Sequence, residues 1–407
     1  MARLPGGLAV WRGRRLLGNS PAPRSSGLLL PVGASRHPAL HSVVIEATKY
    51  ADVPPPVSVR LDGAPVVRHH DGELVVGVPL IWGLTADQLR VVLTHELALP
   101  ASRHPDLVRG LLDARLREPG SDKAAARHAK LLSATASLLA EAEQVRDAAA
   151  VTAAGGGLSA VEDAALALLR AATIAEVFTA FAAAEGTRVV DGSAVRIADL
   201  HAGWRLRLER WGAPAHDPAG VCAALPDRHP GLAAELRALD PGPLVTLPPE
   251  APGLDELSAD EERALAEAVL PDEAPWTRFA DLPVDVYLIE VEHQARGYVE
   301  AVHAVLGRAP DNRDELAGTL LRRPVDVERA RRGLDPVTED DAQPPAWMGA
   351  ALLAVVVEYT LLRKGWRREH PLLARRLIGP DGELLDLNEL VRRPEELRHH
   401  LGATPTA

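Results

Sequence analysis

The run Thr94-His95-Glu96-Leu97-Ala98-Leu99 is the stretch best suited to chemistry. In a zinc-peptidase helix of the form HExxH, two imidazoles one turn apart reach the same metal. The Glu beside the first takes a proton from the attacking water. Here the first His and the Glu are present, and Leu99 stands where the second His would be. A Leu side chain cannot ligate a metal. Two carboxylates follow, Glu143 and Asp147, one helical turn apart and so on one helix face. A Glu from a neighbouring helix is a common third ligand of a two-His zinc site.

With His95 and Glu143 alone, zinc would bind weakly, because stable sites use at least three protein ligands. His128, His201, His216 and His229 are candidates to replace the missing imidazole. His104 falls on the opposite helix face from His95, beyond Pro100. The plainer alternative for Glu143 is a solvated face of alternating charge, with Glu141, Arg146 and Asp147. Glu290 with His293 and Glu300 with His303 both have Glu-x-x-His spacing. Di-iron bundles place such pairs on different helices; these share one, which reads as a polar stripe. Cys222 is the sole cysteine, so intramolecular disulfides and multi-cysteine zinc sites are excluded. No GxSxG motif supports serine hydrolysis.

The segments carrying these residues are mostly helical. A helix is predicted over Pro38–Ala51, before Pro54-Pro55-Pro56. Val57–Leu61, the VVRHH run and Glu73–Trp82 read as strands of a small antiparallel sheet, with Asp62-Gly63 and Asp71-Gly72 as hairpin turns. Thr85 and Gln88 have capping-box spacing and open the helix that bears His95. Further helices are predicted over Asp122–Ala153, stopped by Gly155-Gly156-Gly157, over Ser159–Ala184, and over Ala194–Trp211. The Pro-rich stretch from Asp240 to Gly253 marks a domain boundary. The tail from Pro380 to Val391 reads as a turn, a short strand and a final helix.

Composition bounds the partners. The 407 residues are 47% hydrophobic and 25% charged, as in an ordinary globular protein of two or three domains. A net charge of −11 argues against broad nucleic-acid binding. Met348–Leu362 is the most apolar late stretch, but it is too short to span a bilayer and contains Glu358. Met1–Arg36, rich in Gly, Pro and Arg, lacks the apolar core of a signal peptide and is expected to be poorly ordered.

Leu84–His104 resembles the active-site helix of the HtpX-type zinc metallopeptidases, which include the CAAX prenyl endopeptidases and usually read VLAHELGH there. Glu143 and Asp147 match the family's ExxxD element, whose Glu is the third zinc ligand. Asp227-Arg228-His229-Pro230 is similar to its later THP element. Six residues beyond that His the family has Arg; this chain has Glu235. The resemblance implies a mainly helical α+β fold: a metallopeptidase-like domain over residues 37–245, then a helical C-terminal domain over 250–407. By the same resemblance Glu96 and His229 are the catalytic residues, with His229 stabilising the oxyanion. His95 and Glu143 are the zinc ligands, Asp147 supports them, and Leu99 is the degenerate ligand position.

The expectation is therefore a degenerate homologue, with doubtful zinc occupancy, that binds a peptide or protein segment or regulates an active relative or a membrane protein. Its expected location is cytoplasmic or membrane-peripheral. The first alternative is an active endopeptidase with a substitute ligand and Glu96 as general base. The second is a helical interaction protein.

Overall fold

The computed structural model describes residues 29–99, 105–115, 122–156, 159–211, 225–238, 254, 257–270, 273–334 and 346–402. The fold is mainly helical α+β, with small sheets of three or four strands. Two compact units divide the chain: Met1–Thr187 with Arg196–Glu273, and Arg188–Val195 with Ala274–Ala407. The Pro-rich stretch from Asp240 to Gly253, which marked a boundary in the sequence, lies outside the described residues.

The first unit begins with β1 (Leu30–Pro31), α1 (Pro38–Ala51), β2 (Ser58–Asp62), β3 (Val67–His70) and β4 (Glu73–Gly77). β1 falls inside the segment expected to be poorly ordered, and instead pairs with β2. The sheet order is β1-β2-β4-β3, and β2 runs parallel to β4. The expected antiparallel sheet is thus corrected to a mixed one. The reason lies in the side chains. β4 reads Glu-Leu-Val-Val-Gly and buries its last four residues, which suits a central strand. β3 reads Val-Arg-His-His and stays at the edge.

Asp62-Gly63 is accordingly not a hairpin. Asp62 accepts hydrogen bonds from the Ala64 amide at 2.9 Å and from Arg68 at 2.7 Å, bending the chain into a crossover. Asp71-Gly72 does close the β3–β4 hairpin, with φ of 50° and 76° as a type I′ turn requires.

The apolar run after β4 is helix rather than strand: α2 (Val78–Gly83) starts with a Pro in its first turn. A buried apolar run fits either state, and Pro79 decides it, because proline is at home at a helix start. At Gly77 a Cβ would lie 2.2 Å from the Ala64 carbonyl oxygen, so only glycine permits this change of direction.

α3 (Ala86–Leu97) carries His95. Thr85 accepts from the Gln88 amide, and the Gln88 side chain accepts from the Thr85 amide, completing the capping box. α3 buries Leu89, Leu93 and Leu97, and packs on α1, on α5 (Asp122–Ala153) and on α6 (Ala160–Glu185). Arg90 donates to the Ala153 carbonyl at 3.3 Å, satisfying an orphan acceptor at the end of α5. α4 (Pro105–Arg115) also packs on α5.

After α6, Thr187–Val190 and Ser193–Ile197 form strands β5 and β6 around the positive-φ pair Asp191-Gly192. The helix expected from Ala194 therefore begins later, as α7 (Leu200–Trp211). Another Asp-Gly between β-branched runs was the overlooked hairpin signal. The unit closes with α8 (Ala233–Ala238) and α9 (Ala259–Val269). α6 is the one helix among the described residues long and apolar enough to cross a membrane, and 56% of its apolar window is buried inside the protein.

In the second unit β7 (Trp276–Thr277) joins β5 and β6 in a three-stranded sheet. Helices α10 (Val284–Leu306), α11 (Arg313–Arg322), α12 (Pro324–Arg331) and α13 (Ala346–Leu362) enclose a core that includes Val291, Leu320, Val327 and Leu353. Within it, Glu358 on α13 pairs with Arg368 at 2.8 Å, which explains a carboxylate in so apolar a helix. Beyond the strands Arg367–Arg368, Arg376–Ile378 and Leu384–Asp386, the described residues finish with two short helices, Leu387–Leu390 and Pro394–Gly402. Glu290, His293, Glu300 and His303 are all exposed on α10, in keeping with a polar stripe.

Candidate metal centre

Four side chains from three parts of the first unit converge. His95 comes from the last turn of α3, Glu143 and Asp147 from successive turns of α5, and His229 from the turn before α8. One ligand atom from each lies within 4.8 Å of all the others, so the group could hold a metal ion. His95 Nε2 is 3.6 Å from Glu143 Oε2 and 3.4 Å from Asp147 Oδ1. His229 Nδ1 is 3.0 Å from the same Asp147 oxygen. The rings of His95 and His229 are 5.0 Å apart, centre to centre. A tetrahedral ion with bonds of about 2.1 Å separates its ligands by about 3.4 Å. The first two separations already match that spacing.

The electrostatics favour a cation. Asp147 is 1% exposed, and His95 and Glu143 are each 5% exposed. Burial pushes His95 well below the ordinary histidine pKa. The Arg146 charge and His229 push the same way, against the pull of Asp147. His95 is therefore neutral at pH 7. Burial would raise the Asp147 pKa, but the His229 hydrogen bond and the neighbouring His95 imidazole outweigh it and hold the carboxyl at about 2. His95 Nε2 is buried, faces two carboxylate oxygens and makes no aligned hydrogen bond. If the neutral ring carries its proton on Nδ1, its Nε2 lone pair faces these anionic oxygens, which is unfavourable unless a cation sits between them.

Local structure explains how these groups are held. The ionised Asp147 accepts from the Gly231 amide at 2.9 Å through its second oxygen, so it clamps the His229-Pro230-Gly231 turn. A Cβ at position 231 would lie 2.9 Å from Asp147, so glycine lets the turn approach α5. If His229 donates from Nδ1 to Asp147, its Nε2 lone pair is left for a ligand. Arg146, on the same helix, donates to the His95 carbonyl at 3.1 Å, to Glu143 at 3.0 Å and to Glu96 at 2.7 Å.

The residues singled out in the sequence have different fates. His95, Glu143, Asp147 and His229 come together. The solvated-face alternative holds only for Glu141, since Glu143, Arg146 and Asp147 are buried. Leu99 is 1% exposed and belongs to an apolar cluster with Leu107, Val108, Leu111, Leu131, Leu138, Leu139 and Ala142. Position 99 is thus part of the core. Glu96 is outside the four-residue group. One oxygen pairs with Arg146; the other accepts from the His69 amide at 3.2 Å and lies 3.5 Å from Arg109.

Of the substitute histidines, His229 is the one brought to the cluster. His201 instead bonds the Gly63 carbonyl oxygen at 2.8 Å and stacks on Phe178. His104, His216 and the side chain of His128 lie outside what is described. Glu235 sits on α8 and is not among the four. Sequence reasoning missed Arg146; its place three residues after Glu143, on one helix face, was the available signal.

Comparison with known proteins returns no matching family model, no matching curated protein and no matching solved structure.

Proposed function

We propose that the protein is a zinc-binding, HtpX-like protein in which the peptidase helix has been turned from hydrolysis to binding or regulation. The observation that carries this reading is the convergence of His95, Glu143, Asp147 and His229, with their ligand atoms all within 4.8 Å. Two imidazoles and two carboxylates form a donor set that suits zinc. Bound there, the ion would act as a tie between α3, α5 and the His229 turn, adding its binding energy to folding.

The chain's own residues argue against turnover. Four protein ligands describe a closed site, whereas hydrolytic zinc sites keep a position open. Glu96, the expected base, has both oxygens engaged by Arg146, Arg109 and the His69 amide. The Leu99 side chain packs in an apolar cluster and offers no ligand atom. The bound partner in this reading is a peptide or protein segment.

The test is metal content of protein purified without added metal or chelator, measured by elemental mass spectrometry. One equivalent of zinc, lost in His229→Ala, supports the reading; a folded wild type that takes up no zinc when titrated refutes it.

One observation favours a second reading. The Asp147–His229 bond is the carboxylate–imidazole pairing that orients metal ligands from the outside. With Asp147 in that supporting role, His95, Glu143 and His229 would form a three-ligand hydrolytic site. Peptide cleavage that disappears in Glu96→Gln would decide for this alternative.

A further inference from the structure

The Arg146 guanidinium sits where a metal site does not ordinarily need a cation. It is 8% exposed, and three of its donors have defined acceptors. Nε donates to the His95 carbonyl, in the last turn of α3, where the helix dipole is negative. Nη1 donates to Glu143 Oε2, the oxygen that lies 3.6 Å from His95 Nε2. Nη2 donates to Glu96 Oε2. One buried cation therefore holds the proposed ligand Glu143, the backbone of the proposed ligand His95, and the residue expected to be a general base.

We propose that Arg146 is an internal counter-cation that competes with the metal for Glu143 and sets the affinity of the site. This rests on the zinc-binding reading above. Two buried carboxylates, Glu143 and Asp147, and the part-buried Glu96 meet at this place, and in low dielectric they need positive charge. Arg146 supplies it in the absence of metal. A divalent ion entering between His95 and Glu143 meets the guanidinium at hydrogen-bond distance from its ligand oxygen, and like charges at such range repel strongly. Occupancy is thereby held below what the four ligands alone would give. The same contact keeps Glu96 engaged whether or not metal is present, which couples the lowered affinity to the loss of a base.

The test compares the full-length wild type with Arg146→Met and Arg146→Lys. Zinc affinity is read by calorimetry, and thermal unfolding is followed with and without zinc. Without zinc, Arg146→Met is expected to unfold at a lower temperature than wild type. It is expected to bind zinc at least about tenfold more tightly and to gain more melting temperature from saturating zinc. Arg146→Lys keeps the charge and is expected to bind within about threefold of wild type.

The proposal is overturned if Arg146→Met binds zinc no more tightly than wild type. Failure of that variant to fold at saturating zinc also overturns it, since the ion then does not replace the guanidinium. So does a lysine variant that binds as tightly as the methionine one. If wild type takes no zinc while Arg146→Met does, the zinc-binding reading falls and the competition stands. If wild type binds zinc and Arg146→Met is no tighter, the reverse holds.

Discussion

Asp147 Oδ1 lies 3.0 Å from His229 Nδ1, joining residues 82 positions apart in the chain. That bond draws the turn before α8 onto α5 and brings a second imidazole beside His95. Tertiary folding thus places a second histidine in the group that could hold a metal ion. It has consequences that can be measured.

Removing either imidazole should end metal binding. His95→Ala and His229→Ala are expected to weaken zinc by about a hundredfold or more, because each leaves an incomplete ligand set. Competition with a chromogenic chelator reads the affinity, and circular dichroism confirms the fold. Wild-type affinity in His229→Ala would remove that residue from the site.

Restoring the apparent motif should fail. Leu99 is buried among Leu107, Val108, Leu111 and Leu139, so Leu99→His places an imidazole in an apolar core. The expected cost is about 3 kcal/mol in denaturant unfolding, with no gain in zinc affinity. Tighter zinc binding in this variant would show that position 99 can reach the metal.

Gly231→Ala should act on the site from outside it. The added Cβ would lie 2.9 Å from Asp147 Cβ and Oδ2, so the turn must back away from α5. A tenfold to hundredfold loss of zinc affinity, of order the effect of removing an outer-sphere partner, is expected. An unchanged affinity would show that the turn is free to shift without moving His229.

The stability of the first unit should fall with acid through His201. This residue is 0% exposed, and its pKa is lowered to about 4 by burial, against the Gly63 hydrogen bond and the Asp62 charge. In the unfolded chain it titrates near 6.5. The unfolded state therefore takes up the proton first, so the contribution is complete above about pH 6.5 and lost progressively down to about 4. The loss amounts to about 3 kcal/mol. His95 is lowered in the same direction and adds to the slope. The difference between wild type and His201→Gln, in urea unfolding at pH 7 and pH 4.5, isolates His201. Equal slopes in the two proteins would contradict the assignment.

Much of the local structure was legible in the amino-acid order, because its causes are local. Thr85 and Gln88 meet across three residues, so their spacing alone specifies the start of α3. The glycines after Ala153 end α5, and Gly155 and Gly156 adopt positive φ there. Glu143 and Asp147 share a face because a helix has 3.6 residues per turn. The apolar content of α3, α5 and α6 implied a mainly helical fold, and the net charge bounded the partners. What the tertiary structure alone decided was which strands pair, which histidine joins His95, and which charges are buried. β2 lies beside β4 because β4 is apolar on both faces and takes the centre, a choice made by packing rather than by the intervening turn. A wet helix face was the alternative reading of Glu143 and Arg146, and it fails because α3 packs against them and takes away the water. Leu99 read as a lost ligand until α4 and α5 enclosed it. Sequence fixes the conformational preferences of a segment over a few residues, but burial and long-range partners depend on how the segments pack, and the chemistry of this site is set by burial and partners.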